Sequence, residues 1–269
     1  MPHAPVICAV DLERLSTRVI YHAAGLAAAL GAPLVLVAAV GDGDSTRDAT
    51  AALQRAFAEA IPYDASVAGE PEVSAAPGAA VDVVLAEAAA RDAALIVAGT
   101  RARGELARLL LGSTSADLLQ RTDRPLLLVP PTDVDIVTLV GTGVSLHFGA
   151  VLVAVDLAES NTNQLDAASQ LAALARQPLL AMTVADKSGA SDHDVAAALR
   201  SATARMSPVA PSAYIVRRGD PAQEIARAAL AEQAGLVVMG LRREGRGRPG
   251  ATATAVLQSH RALVLAVPG

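Results

Sequence analysis

Aromatic residues are scarce in this chain. Tryptophan is absent, and phenylalanine and tyrosine together make up 2% of the 269 residues. Single-stranded nucleic acids are bound by aromatic rings that stack on bases, beside basic stripes that hold phosphates. The chain shows no such basic stripe, and its formal net charge is −5 at pH 7. We therefore expect no nucleic-acid partner.

Cysteine is almost missing as well. Cys8 is the only one, so no disulfide framework can form within the chain, which suits a reducing compartment. The segment Met1–Val10 has no basic start and is followed at once by Asp11, unlike a signal peptide. These features predict a cytoplasmic protein.

Long apolar runs and catalytic motifs are also lacking. The uncharged stretch Ala23–Gly41 is cut by Gly31-Ala32-Pro33, so we expect no membrane span. The five histidines lack metal-ligand spacing, and no nucleophile elbow or Walker motif occurs. The string G245-R-G-R-P-G250 follows a late strand and is a poor dinucleotide motif. We predict neither a metal site nor catalytic residues.

The chain is internally duplicated. Three pairs of strings match in the same order, namely Val6–Leu12 with Val151–Leu157, Gly78–Gly99 with Gly219–Gly240, and Gly112–Gln120 with Gly250–Gln258. Collinear matches predict two domains, 1–131 and 150–269. The segment 132–149 reads as a linker or as an extra edge hairpin. We expect the halves to pack as an internal pseudo-dimer, and we also consider homodimers of the chain.

Apolar strand-like runs alternate with helical stretches in each half. The predicted strands of the first half are Val6–Val10, Leu34–Val40, Tyr63–Ala68, Leu95–Ala98 and Leu126–Val129. Those of the second half fall near Val151–Val155, Leu179–Val184, Ala213–Arg217, Leu236–Met239 and Leu263–Val267. This alternation predicts an α/β fold with two tandem, doubly wound, five-stranded parallel sheets of the Rossmann-like type.

The segment between Gly99 and Ser115 is the best candidate for a binding site. It links a predicted strand to a predicted helix, and such a connection presents backbone N–H groups to phosphate at the positive end of the helix dipole. Hydroxyl and guanidinium groups add to this character, in Ser113, Thr114, Ser115, Arg101, Arg103 and Arg108. The alternative is an ordinary strand-to-helix connection.

The spacing in this segment resembles a known nucleotide fingerprint. That fingerprint is Gly, two residues, Gly, nine residues, Gly, then Ser or Thr, and the chain has Gly99, Ala102, Gly112 and Ser113 there. The flanking strings A-V-D and D-R-P-L-L-L-V-P and, in the second half, G-D-P-A-Q-E-I and R-P-G-A-T-A are also typical. Over nearly its whole length, the chain resembles a tandem universal stress protein. The resemblance implies domains like those of the adenine nucleotide alpha hydrolases.

The resemblance also implies a ligand, ATP or a related adenine nucleotide, with or without Mg²⁺. By matching positions, Asp11 meets the ribose and adenine, Ala39 lines the adenine slot, and Gly112 begins the phosphate cradle. The implied binding residues are Ala9, Val10, Asp11, Ala39, Ala98, Gly99, Arg101, Ala102, Gly112, Ser113, Thr114 and Ser115. Two departures stand out, because Leu12-Glu13 replaces Gly-Ser and the methyl of Ala102 narrows the phosphate slot.

The second half departs further from the fingerprint. Twelve residues separate Gly99 from Gly112, but nine separate Gly240 from Gly250. Ala251 also replaces the hydroxyl of Ser113. We therefore expect the first half to hold the better nucleotide site and the second half to have a degenerate one.

The predicted function is that of a nucleotide-binding sensor or regulator in a stress response. Nucleotide occupancy would shift a loop conformation that an unknown protein partner reads. One alternative is a slow ATPase, or a protein that phosphorylates itself on Ser113 or Thr114. The other is a structural or interaction module that binds no nucleotide.

Overall fold

A computed structural model describes most of the chain. The described residues are 4–41, 43–63, 65, 69–103, 108–110, 112–131, 135–159, 162–186, 189–241, 251–259 and 262–269. By their contacts they form two compact units. Unit 1 comprises the described residues of 1–100 and 112–147, and unit 2 those of 101–111 and 148–269. The domain boundaries proposed from the sequence stay a prediction.

Strands and helices alternate along the chain. Its first part contains β1 (Val6–Ala9), α1 (Thr17–Leu30), β2 (Leu34–Val40), α2 (Thr46–Ala60), β3 (Glu72–Pro77), α3 (Ala80–Ala90), β4 (Leu95–Gly99), β5 (Arg101–Arg103), β6 (Arg108–Leu110), α4 (Ser113–Arg121) and β7 (Leu126–Val129). The rest contains β8 (Val137–Val140), β9 (Gly143–Leu146), β10 (Ala150–Ala154), α5 (Asn163–Ala175), β11 (Leu179–Ala185), α6 (Asp192–Thr203), β12 (Ala213–Arg218), α7 (Pro221–Ala231), β13 (Ala234–Leu241), α8 (Ala251–Ser259) and β14 (Leu263–Pro268).

Each unit contains a parallel five-stranded sheet. In unit 1 the strand order is β7-β4-β1-β2-β3, and in unit 2 it is β12-β11-β10-β13-β14. In both sheets the chain begins at the central strand, adds strands toward one edge, and then crosses to the other side of the central strand. This confirms the predicted α/β class and its two doubly wound sheets. In such a sheet ligands bind at the carboxyl ends of the strands, where the order reverses.

The central strands are fully buried, and small residues let the helices pack closely on them. Val6, Ile7 and Cys8 of β1 have no exposed surface. Burial raises the pKa of the Cys8 thiol to about 12, so this cysteine behaves as a small apolar residue. Of the helices in the described chain, none combines the length and apolarity needed to cross a bilayer.

The third strand of unit 1 was predicted in the wrong place. It is Glu72–Pro77, where Glu72 lies opposite Val35 of β2, whereas most of the predicted Tyr63–Ala68 lies outside the described residues. The physical reason is that β3 is an edge strand. Its residues are half-buried or exposed, so it lacks the continuous apolar run of a central strand.

The segment after β7 contains a hairpin that packs on α1. Strands β8 and β9 are antiparallel, with Val137 opposite Leu146. A side chain added at Gly25 of α1 would overlap that of Val137. The structure shows a hairpin here that is a two-stranded sheet of its own, packed against the first helix of unit 1 and not added to the edge of the parallel sheet.

Candidate functional site

Several predicted site residues meet at the carboxyl ends of three neighbouring strands. Ala9 of β1 lies opposite Val37 of β2 and Ala98 of β4. The amide of Val10 continues this pattern by donating to the carbonyl of Val37 at 2.8 Å. Ala39 follows on β2, at the same edge of the sheet. The structure thus brings Ala9, Val10, Ala39 and Ala98 together.

Asp11 shapes the turn that leaves β1. Its Oδ1 accepts a hydrogen bond from the amide of Glu13 at 3.1 Å, and its carbonyl accepts one from Arg14. In unit 2, Asp156 makes the same turn and accepts from the amide of Ala158 at 2.9 Å. Both units therefore place a carboxylate just beyond the first central strand, and each orders its own backbone there.

The N-terminus of α4 lacks a side-chain cap. Its N-cap is Gly112, with extended backbone angles of −62° and 157°, whereas Ser16 caps α1 through its hydroxyl. The first-turn amides of a helix have no carbonyl partner within that helix. The amides of Ser113, Thr114 and Ser115 therefore form a positive cluster that suits a phosphate.

The three hydroxyls of this turn differ in their surroundings. Ser115 is buried, and its Oγ donates to the carbonyl of Gly99 at 2.7 Å. Ser113 is exposed and Thr114 is half-buried. The hydroxyl of Ser115 thus fastens α4 to the end of β4, and those of Ser113 and Thr114 lie nearer to the solvent.

Gly99 has a packing role at the end of β4. A Cβ on this residue would lie 2.9 Å from Cγ2 of Val19 in α1. Valine in a helix has one strongly preferred rotamer and cannot turn away easily. The first glycine of the fingerprint is therefore explained by close packing, whether or not a ligand also approaches it.

Arg101 and Ala102 are placed differently from the other candidates. They lie in β5, which pairs with β6 so that Ala102 is opposite Leu109. This hairpin belongs to unit 2, where β6 lies near α8. By their contacts, Arg101 and Ala102 therefore belong to unit 2, whereas Gly99 and Gly112 belong to unit 1. Sequence reasoning predicted a simple loop here and missed the hairpin.

In unit 2, the position that corresponds to Val19 is occupied by Gln164, a residue that sequence reasoning missed. Gln164 of α5 lies beside Gly240, whose added Cβ would be 3.5 Å from the amide carbon of Gln164. Gln164 is buried, and its Oε1 has no hydrogen-bond partner among the residues that the structure describes. The offset of 145 residues that relates Val6 to Val151 also relates Val19 to Gln164. This alignment was the available signal.

In unit 2, the shortened connection 242–250 between β13 and α8 lies outside the described residues. Within the described part of the chain, no group of three or more His, Cys, Asp or Glu side chains is arranged to hold a metal ion.

Comparison with known proteins finds one matching family and several solved structures of similar fold. The model of the universal stress protein family matches residues 3–130. A universal stress protein from Archaeoglobus fulgidus is 15% identical, with a TM-score of 0.73, and 99% of each chain is covered. A functionally unknown protein from Pseudomonas aeruginosa is 19% identical, with a TM-score of 0.71, and 99% of this chain and 93% of that chain are covered. No curated protein matches. At these identities, the two structures show a shared fold.

Proposed function

We propose, from the match of residues 3–130 to the universal stress protein family, that the first half of the chain binds an adenine nucleotide, with ATP as the form that the family resemblance implies. The nucleotide would lie across the carboxyl ends of β1, β2 and β4. Its phosphates would rest on the N-terminus of α4.

The uncapped first turn of α4 is the observation on which this proposal rests. Gly112 brings no side-chain oxygen to the amides of Ser113, Thr114 and Ser115, which have no carbonyl partner within α4. The hydrogen bond from Ser115 to Gly99 holds this turn against the end of β4. A phosphate would therefore meet amides that are already oriented, which lowers the entropic cost of binding.

The strand ends offer a suitable place for the base and ribose. Ala9, Ala39 and Ala98 have short side chains, which leave room for a planar ring near the sheet edge. Asp11 lies just beyond β1, and a carboxylate is a good acceptor for ribose hydroxyls. These residues would bind the neutral end of the nucleotide, away from its phosphates.

We infer a regulatory role for this binding. Nucleotide occupancy would favour one conformation of the residues around Gly99 and Gly112, and a protein partner in the cytoplasm would read it. A second copy of the chain would be one such partner.

The decisive experiment places a negative charge where the phosphates would bind. Ser113→Glu introduces a carboxylate at the first position of α4, where it favours the helix dipole but repels phosphate. We expect ATP affinity, measured by isothermal titration calorimetry with and without Mg²⁺, to fall about tenfold or more.

Thr46→Glu is the matched control. Thr46 is the exposed first residue of α2, and Ser45 caps that helix. The control should retain the ATP affinity of the unmodified chain. Equal affinity for ATP and inorganic sulfate, or equal binding by both variants, would contradict the proposal.

A further inference from the structure

The hairpin of β8 and β9 covers one face of α1. Its apolar residues Ile136, Val137, Leu139 and Leu146 are buried. The absence of a side chain at Gly25 gives Val137 the space to approach the helix. The hairpin therefore shields a part of α1 that would otherwise face the solvent.

Tyr21 of α1 holds this hairpin through its hydroxyl group. That hydroxyl donates to the carbonyl of Val137 and accepts from the amide of Leu139, both at 3.2 Å. The side chain thus takes the place of a strand partner for two backbone groups of β8.

His22, the next residue, makes a contact that depends on protonation. Its ring is fully buried. Nδ1 lies 2.8 Å from the carbonyl of Arg18 and must donate to it, so the neutral ring keeps Nε2 as an acceptor. Nε2 accepts from the amide of Ile136 at 3.4 Å. This bond exists only when the imidazole is neutral.

The charged groups that face His22 come from both sides of the contact. Arg18 lies on α1 and forms a 3.0 Å ion pair with Asp135, which precedes β8. Oδ1 of Asp135 is 3.9 Å from Nε2 of His22. Burial lowers the pKa of His22, and the positive charge of Arg18 adds to this effect. The Arg18 carbonyl and Asp135 oppose it but do not cancel it. The ring of Tyr21 contacts the His22 ring in an edge-to-face arrangement and brings no charge.

We propose that the segment 135–147 is a proton-controlled cover of α1, released when His22 gains a proton. A proton on Nε2 would face the amide hydrogen of Ile136, which would then lose its acceptor. The covered face around Tyr21 and Gly25 would become accessible, together with the apolar side of the hairpin.

The direction of the pH effect follows from linkage. The docked hairpin favours neutral His22, whereas the released form titrates near the free value of about 6.5. Docking is therefore at full strength above about pH 6.5. Below it, the docking equilibrium weakens by about tenfold for each pH unit, until the pH reaches the pKa of the docked state.

Hydrogen–deuterium exchange of the full chain tests this proposal. Exchange of 135–147, corrected for intrinsic rates, is compared at about pH 7.5 and about pH 5. We expect these amides to lose protection at the lower pH, by up to about tenfold for each pH unit below about 6.5, while those of β4 keep theirs. Unchanged protection of 135–147 would overturn the proposal.

Three variants separate the titration of His22 from the stability of the hairpin. His22→Gln keeps an acceptor and a donor but cannot titrate, so the pH response should disappear. Tyr21→Phe should raise exchange at both pH values and keep the response. His147→Gln changes an exposed histidine in the same segment and should behave like the unmodified chain. A pH response that persists in His22→Gln would overturn the proposal.

A spectroscopic measurement decides the matter if His22→Gln does not fold. In the unmodified chain, NMR should show the His22 ring and the Ile136 amide titrating with the same midpoint. A ring that titrates while the Ile136 amide stays constant would equally overturn the proposal.

Discussion

The two units share a strand order but differ at the place where their ligand sites would be. At the end of β4, Gly99 packs against the methyl groups of Val19, whereas at the end of β13, Gly240 lies beside the buried amide of Gln164. Ser115 in unit 1 likewise corresponds to Ala253 in unit 2, at the offset of 138 residues that relates Gly112 to Gly250.

This difference shows which parts of a duplicated fold are free to change. The central strands stay buried in both units, and from Val151 onward β10 pairs with β13 in the register of β1 with β4, after a shift at Ala150. A parallel sheet with helices on both faces tolerates little else. At the strand ends the two copies have diverged, since the close packing of Gly99 on Val19 is replaced by an ordinary contact of Gly240 with Gln164. At this place unit 1 has a helix N-terminus held by Ser115, whereas unit 2 has a buried amide oxygen without a partner in the described part of the chain.

The largest expected effect comes from adding a methyl group at the paired glycines. Gly99→Ala should lower the free energy of unfolding by about 1–3 kcal/mol, because its Cβ would press on the stiff side chain of Val19. Gly240→Ala should cost clearly less, since its Cβ would meet Gln164 at an ordinary contact distance. Urea denaturation of both variants measures this. Equal costs would contradict the packing difference.

Replacing Gln164 should stabilise the chain. Gln164→Met keeps the unbranched shape and removes a buried oxygen that has no partner within the described ranges, so the free energy of unfolding should rise by about 1 kcal/mol. Thermal denaturation followed by circular dichroism measures the change. The control is Gln223→Met on the N-terminal turn of α7, where the side chain is exposed and little change is expected. A loss of stability in Gln164→Met would show that the amide has a partner.

Removing the hydroxyl of Ser115 should make unit 1 resemble unit 2. Ser115→Ala breaks the bond to the Gly99 carbonyl and should cost about 1 kcal/mol of stability. It should also weaken ATP binding, because the first turn of α4 is no longer held. The reverse change, Ala253→Ser, should leave ATP affinity unchanged. ATP affinity that is unaffected by Ser115→Ala would limit this serine to a structural role.

The smallest change in stability is expected at the paired aspartates. Asparagine can accept the same turn hydrogen bond, so Asp11→Asn and Asp156→Asn should each change stability by less than about 0.5 kcal/mol. The two should differ in ligand response. Asp11→Asn should reduce the thermal shift produced by ATP, and Asp156→Asn should not. An equal reduction in both would place a nucleotide site in unit 2 as well.

The parallel sheets could be predicted because buried strands such as β1 and β4 are continuous apolar runs bounded by glycine or aspartate. The edge strand β3 could not, because an edge exposes part of its surface and its sequence, E-V-S-A-A-P, has little apolar character. The hairpin of β5 and β6 was missed for a related reason. Its segment contains several charged residues and glycine, which are typical of a loop.

The candidate site was only partly accessible from the sequence. The fingerprint spacing located Gly99, Gly112 and Ser113, because the spacing of a strand-to-helix connection is a local property. The roles of Gln164 and Val19 depend on packing between α-helices and strand ends far away in sequence. A single chain reveals such contacts only when its two copies are aligned residue by residue.

The position of Cys8 has a practical consequence. A thiol reagent needs the thiolate and physical access, and the folded chain offers neither, since the side chain lies in the central strand of unit 1. Unit 2 has no cysteine. The rate at which a dye labels this single thiol therefore reports how often unit 1 alone opens, in the presence or absence of ATP.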